Sequence, residues 1–404
     1  MTTAPIVRFL DRTTPPHVST LILIAGISAL NMSIFLPSLN HMAVYFDTDY
    51  ALMQLSVSAY LAVTAVLQVI IGPISDKYGR RPVILWTMAV FVLATIGAML
   101  APTIEIFLAF RMLQGVVAAA MVLSRAIVRD MVPQDQAASM IGYVTMGMAL
   151  VPMFGPIVGG ALDQLYGWQL TFAFLAVSGF GVWLLAYLDQ GETIVGQGQS
   201  FTEQVRSYPE LLRSPRFWGY VLCAAFASGA FFAFLGGASF VADSVFGLSP
   251  VWTGLALGAP AIGYVTGNFL TGRYTVRVGI NRMILIGSLI TVIGMGISLL
   301  LALLGQTSAL LFFGFCTTVG LGNGLVMPNA TAGMLSVRPH LAGTASGLGG
   351  AILIGGGAAL SAVAGLLLVP GSGTLPLQFI MFATAVCAWV SILLVMRRQR
   401  YLDR

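Results

Sequence analysis

The chain has 404 residues, 58% hydrophobic and only 8% charged, with a formal net charge of +5 and a mean hydropathy of +0.92. A soluble domain carries roughly 25% charged residues, so this composition excludes an ordinary soluble fold and implies a chain that crosses a bilayer many times. The basic excess does not imply nucleic acid, because those residues sit in short segments between apolar runs.

Residues 1–16 read as a short polar tail with Arg8, Arg12 and Pro15-Pro16. The first apolar run, about 17–39, is too long for a signal-peptide core and is taken as a retained span. Span two follows at about 50–71. The polar stretch Gly72–Pro82 comes next, with Lys77, Arg80 and Arg81 around the single acid Asp76. Glycines at 72 and 79 permit a tight reversal, and Pro73 and Pro82 read as helix boundaries. Spans three to six are placed at about 83–101, 106–128, 137–160 and 168–188. Residues 189–215 form the longest polar stretch and read as a linker between two halves, 17–188 and 216–396, with a short tail at 397–404.

In the second half, spans seven and eight fall at about 216–241 and 251–271. The long uncharged stretches 283–337 and 339–396 are each too long for one helix crossing a 30 Å core at 1.5 Å per residue. Breaks at Gly305-Gln306-Thr307 and at 369–374 give spans nine to twelve. The expected fold is an all-α polytopic membrane protein, twelve helices in two pseudo-symmetric six-helix bundles. Cys223, Cys316 and Cys387 lie in apolar runs without metal-ligand spacing and read as packing residues.

With both termini inside, eighteen of the nineteen basic residues fall on the inner side, leaving Arg111 within a span. The outer loops carry Asp47, Asp49, Glu105, Asp163 and Asp243 instead. A shift of 200 positions sets Gly272 on Gly72, Arg277 on Lys77 and Gly279 on Gly79, while Val276 replaces Asp76. The halves therefore read as repeats.

The stretch G-x-x-x-D-x-x-G-R-R between spans two and three resembles the signature loop of the major facilitator superfamily. Arg111–Ala119, R-x-x-Q-G-x-x-A-A, is similar to its fourth-span motif, with Gln114 and Gly115 matching. Gly147-x7-Gly155-Pro156-x2-Gly159-Gly160 resembles the glycine-proline motif of its exporter branches. Met32–Pro37 is similar to the first-span pattern of the bicyclomycin/chloramphenicol-resistance group of drug:proton antiporters. That match covers most of the first half. The second half adds only general resemblance.

The resemblance implies a bacterial inner-membrane efflux transporter with alternating access, acting on small, amphipathic, mostly neutral organic compounds such as amphenicol-like antibiotics. It also implies proton antiport. A dedicated metabolite or amino-acid-derivative exporter and an uncoupled facilitator stay open as alternatives. A monomer in the bilayer is expected, without metal or cofactor. An enzyme is not expected, since the spans carry no H-E-x-x-H, no G-x-S-x-G and no intramembrane His/Asp/Glu cluster.

Arg111 is the one formal charge placed well inside a span, which makes it functional by default. In the family the matching arginine faces the cavity. The candidate substrate contacts are Asn31, Ser33, Phe35, Tyr60, Arg111, Gln114, Phe231, Phe234 and Asn323. The candidate gating residues are Gly72, Asp76, Gly79, Arg80, Arg81, Arg129, Gly155, Pro156 and Gly159. By the resemblance Asp76 latches the inner side, pairing with Arg80 or Arg129 and facing the start of span eleven near Gly343-Thr344. The branch usually has an acid where this chain has Ser33. The cavity is therefore expected to be neutral to positive and to discriminate against lipophilic cations, and Ser33→Asp to restore a cation preference.

Overall fold

The computed structural model describes residues 7–131, 144, 151, 154–194, 209–338 and 341–402. Among the described residues the structure is helical, with no strand. The first span is α1 (Val18–Ser33), continued through a tight turn at Leu36–Ser38 into α2 (Leu39–Tyr45). Then come α3 (Tyr50–Tyr78), α4 (Arg80–Met99), α5 (Ile104–Leu113), a 3-10 turn at Gln114–Val117, and α6 (Ala118–Met131). Helix α7 is described over 154–166, and α8 is Trp168–Asp189.

The second half contains α9 (Pro215–Phe240), α10 (Pro250–Leu257), α11 (Ala259–Val278), α12 (Ile280–Leu303), α13 (Ala309–Ser336), α14 (Ala342–Leu367) and α15 (Leu375–Leu402). Ten helical stretches among the described residues are long and apolar enough to span a membrane. The remaining two of the twelve expected places hold α7 and the α10–α11 pair, which bends at Gly258. The breaks expected near 305–307 and 369–374 fall between α12 and α13 and between α14 and α15.

Several boundaries differ from the sequence reading: α2 carries the first span on to Tyr45, α15 continues to Leu402 into the expected tail, and the largest change follows span two. Residues 72–78 are not a loop, because α3 runs through Gly72 and Pro73 to Tyr78. Pro73 removes one backbone donor, and the Ser75 hydroxyl adds a local bond by donating to the Gly72 carbonyl at 2.7 Å. The reversal is made by one residue, Gly79, at φ 96°. Its counterpart Gly279 has φ 89°. L-residues with side chains rarely adopt such values.

The packing has two distinct ends. At the end away from the chain termini, one apolar cluster draws on both halves, joining Phe35, Leu36, Tyr60 and Phe172 to Phe232, Phe234, Phe312 and Phe313. At the end carrying the termini there are two separate clusters. One belongs to the first half (Leu21, Ile84, Phe91, Leu123) and the other to the second (Phe217, Tyr220, Val326, Ile392). Between them α3 lies along α14. Apolar burial thus holds the halves together at one end and leaves them apart at the other.

Candidate functional site

Arg111 has no exposed surface. Its Nε donates to the Ser56 carbonyl at 2.9 Å and Nη2 to the Asn31 carbonyl at 3.0 Å. Its Nη1 donates to Asn31 Oδ1 and to Gln114 Oε1, both at 2.7 Å. The rings of Phe35 and Tyr60 lie 4.3 and 4.2 Å from the guanidinium carbon. Gln114 in turn donates from Nε2 to Thr95 Oγ1 at 2.7 Å. The structure therefore brings together Asn31, Phe35, Tyr60, Arg111 and Gln114 from α1, α3, α5 and the turns beside them.

The expectation that Arg111 faces a cavity is corrected in this conformation. Burying a charge is costly unless its donors are met. Here neutral oxygens and two aromatic faces meet them, and among the described residues no carboxylate forms an ion pair with the guanidinium. The cluster fastens α1 to α3, α4 and α5. Asn31 Nδ2 and Ser56 Oγ are buried there without a hydrogen-bond partner.

Ser33 does not join that cluster. Its hydroxyl donates to the Ala29 carbonyl at 3.0 Å, one turn back. Its Oγ lies 2.8 Å from where a Cβ on Gly155 would stand. Ser33 therefore packs α1 against α7 and is no cavity residue here. Phe234 is fully buried in the shared cluster, stacked at 6.4 Å on the half-buried Phe231 and edge-on to Phe313. Asn323 is buried on α13, outside the Arg111 cluster.

Among the expected gating residues, Asp76 pairs with Arg80 at 2.5 Å, and Arg80 Nε reaches Asp130 at 3.1 Å. Arg80 also donates to the Ser75 hydroxyl. Arg81 donates from Nε to the Gln190 carbonyl at 2.7 Å and from Nη2 to the Tyr187 carbonyl at 3.1 Å. All these partners belong to the first half or, for Gln190, to the start of the linker that follows it. The side chains of Arg129 and Thr344 lie outside the described set, as does Gly147.

Two acids that the sequence reading assigned to a linker do structural work here. Glu192 accepts from the backbone N–H of Arg80 at 2.9 Å and of Arg81 at 3.2 Å, capping α4. Asp189, fully buried, accepts from the N–H of Leu10 and His17 and from the Thr20 hydroxyl, at 2.6–2.8 Å. Their one sequence signal is two acids within four residues of the end of a span.

The glycine-proline segment is where α7 crosses both halves. A Cβ on Gly159 would overlap the Ile34 carbonyl, and one on Gly160 the Pro250 carbonyl. A Cβ on Gly254 would in turn meet the Pro156 carbonyl. Only hydrogen at these positions lets the backbones approach so closely. Close by, Asn40 Nδ2 donates to Asp243 Oδ2 at 2.6 Å and to Ser244 Oγ at 3.2 Å, and Ser239 Oγ donates to the Leu36 carbonyl at 2.6 Å. Tyr50 and Gln54 of α3 reach Gly236 and Ser361. His41 Nδ1 lies 2.8 Å from the buried carboxylate of Asp163. This end is shut by contacts between the halves.

At the other end a cavity of about 650 Å³ separates them. Its first-half wall carries Gln68, Asp76, Arg80, Arg125 and Asp130, whose formal charges cancel. The described residues of its second-half wall are uncharged, with Tyr264, Met327, Met334, Leu353 and Ile354 among them. Such a volume suits a drug-sized ligand.

The Major Facilitator Superfamily profile matches residues 21–362. This chain belongs to that superfamily. It is 28% identical over 388 residues to multidrug resistance protein D of Escherichia coli K12, covering 94% of this chain and 96% of the relative. It is 29% identical over 333 residues to a chloramphenicol resistance protein of Pseudomonas aeruginosa, covering 81% and 79%. A crystal structure of a bacterial homolog to the human lysosomal transporter Spinster, inward-facing and occupied, aligns with a TM-score of 0.73 at 19% identity, over 94% of this chain and 96% of that one. At that identity the likeness shows the fold. The superfamily makes the protein a multi-pass membrane transporter of small molecules rather than an enzyme.

Proposed function

We propose that this chain exports small, amphipathic, mostly neutral organic compounds, amphenicol-like antibiotics among them, across the bacterial inner membrane. It works by alternating access and proton antiport, as a monomer with both termini in the cytoplasm. The bundles at 17–188 and 216–396 move about the linker at 189–215. On this reading the cavity end is cytoplasmic and the shared aromatic end periplasmic, so the described conformation faces inward.

The carrying observation is the charge balance of the cavity. Among the described lining residues two acids and two arginines share one wall, and an apolar, methionine-bearing wall faces them. A neutral ligand with an apolar body and a polar edge matches both walls, since an unpaired ionic ligand would lose more hydration than the site returns. The relatives' names, multidrug and chloramphenicol resistance, agree with this ligand class.

Cells expressing the chain should accumulate less radiolabelled chloramphenicol than cells without it, and a protonophore should abolish the difference. Equal accumulation would remove the proposal. An uncoupled facilitator is the second reading, favoured by Ser33 at the place of the branch's acid and by an Arg111 cluster whose partners are neutral. Export insensitive to the protonophore would select it.

A further inference from the structure

The two halves repeat a turn whose chemistry differs between the copies. Gly79 precedes α4 and Gly279 precedes α12, both with positive φ. Each turn leaves the first backbone N–H groups of the next helix without intrahelical acceptors, at the positive end of the helix dipole. In the first half the chain supplies an anion there. The Glu192 carboxylate accepts from Arg80 and Arg81 N–H, and a Cβ on Gly79 would collide with it.

In the second half nothing lies within 4 Å of a Cβ on Gly279. A cavity of about 760 Å³ adjoins the turn, lined by Gly279 and Ile280, by Arg216 and Tyr220 of α9, by Arg282, and by Gln399 of α15. No Asp or Glu is among the described lining residues. Val276 stands where the first copy has Asp76, and α15 offers the neutral Gln399. The neutral groups already satisfy one another: Tyr220 Oη donates to Asn281 Oδ1 at 2.8 Å, and Asn281 Nδ2 donates to Gln399 Oε1 at 2.7 Å. The arginines are not so served. Among the described residues Arg216 and Arg282 have no ion-pair or hydrogen-bond partner, and Arg216 Nε is buried without one.

We propose that this cavity binds a phosphate-bearing anion, which takes in the second half the place that Glu192 holds in the first. Guanidinium forks match phosphate oxygens, and a helix start offers N–H groups to the same ligand. Val276, 95% exposed beside the cavity, gives an apolar surface next to the charged one. A lipid headgroup would use both surfaces, while free phosphate would use the arginines alone. Basic pockets between membrane helices are known to take anionic headgroups.

The test uses the full chain, purified and delipidated in detergent, with thermal unfolding and native mass spectrometry as readouts. The probes are phosphatidylglycerol, phosphatidylcholine and inorganic phosphate. The unmodified protein should retain phosphatidylglycerol at least about tenfold better than phosphatidylcholine, given two arginines at the site. The double variant Arg216→Gln/Arg282→Gln should lose that preference. Gln399→Glu should lose it too, while unfolding no earlier than the unmodified protein in phosphatidylcholine, because it supplies an internal carboxylate. That second variant separates loss of the ligand from loss of the fold. If millimolar phosphate displaces the lipid and stabilises equally, the ligand is a free anion. If only the lipid acts, it is a headgroup. Variants that keep the preference would overturn the site. An unmodified protein that shows no preference and no response to phosphate would overturn it as well.

Discussion

A guanidinium sealed among carbonyl, amide and aromatic groups carries the cohesion of α1, α3, α4 and α5. Arg111→Ala would strand Asn31 Oδ1 and Gln114 Oε1 in the interior, each orphan costing about 1–3 kcal/mol, so a loss of roughly 3 kcal/mol is expected. Arg111→Lys should fall between, because an ammonium cannot span the Ser56 and Asn31 acceptors with one planar fork. Denaturant unfolding of the purified variants checks both. Arg111 was legible in the sequence because a charge inside an apolar run is conspicuous. Its partners were legible only as polar or aromatic residues of neighbouring spans. That it is enclosed rather than cavity-facing depends on helix rotation, which spacing along one helix does not fix.

Ser33 shows the same limit from the other side. Its place in the first-span motif pointed to the cavity, but the rotation of α1 turns it to Gly155. Ser33→Asp should therefore lower the melting temperature, by putting an unpaired carboxylate into a tight helix contact, and should not gain export of tetraphenylphosphonium. A stable Ser33→Asp protein that exports this cation would return Ser33 to the cavity.

Between helices, the glycines divide by what a methyl group would meet. Gly72 lies inside α3 with nothing within 4 Å of a Cβ, so Gly72→Ala should keep or raise stability, by up to about 1 kcal/mol. Gly79→Ala meets both a positive φ and the Glu192 carboxylate and should lower it by more than that. Thermal unfolding of the pair decides the matter. The sequence marked both as turn glycines because Gly and Pro together usually end helices. The structure keeps only Gly79 in that role, since α3 tolerates Pro73. The sequence marked the α7 glycines through the exporter-branch motif and as gating candidates, and the structure shows Gly159 and Gly160 as points of close backbone packing. Which backbones they admit, Ile34 and Pro250, follows from the meeting of the two halves and had no local signal.

For the molecule as a whole, the all-helical, many-span architecture and the repeated Gly79/Gly279 turn were legible because they follow from long apolar runs and a repeat spacing. The conformational state was not, because the same residues serve every state of a transport cycle. What fixes it here is one shared aromatic core at one end and two separate cores, with a cavity between, at the other. Asp76→Asn would remove the carboxylate from the Asp76–Arg80–Asp130 group while leaving both cores intact. Slower chloramphenicol export at an unchanged melting temperature is the expected result.

The most direct test locks the closed end. Asn40 and Ser244 touch across the halves through a 3.2 Å hydrogen bond. In a background with the exposed Cys387 replaced by serine, the pair Asn40→Cys/Ser244→Cys should cross-link on oxidation. If transport requires this end to open, the oxidised protein will still bind chloramphenicol from the cavity side but will not move it across reconstituted vesicles, and reduction will restore transport. A cross-linked protein that transports at the rate of its reduced form would contradict alternating access through this contact.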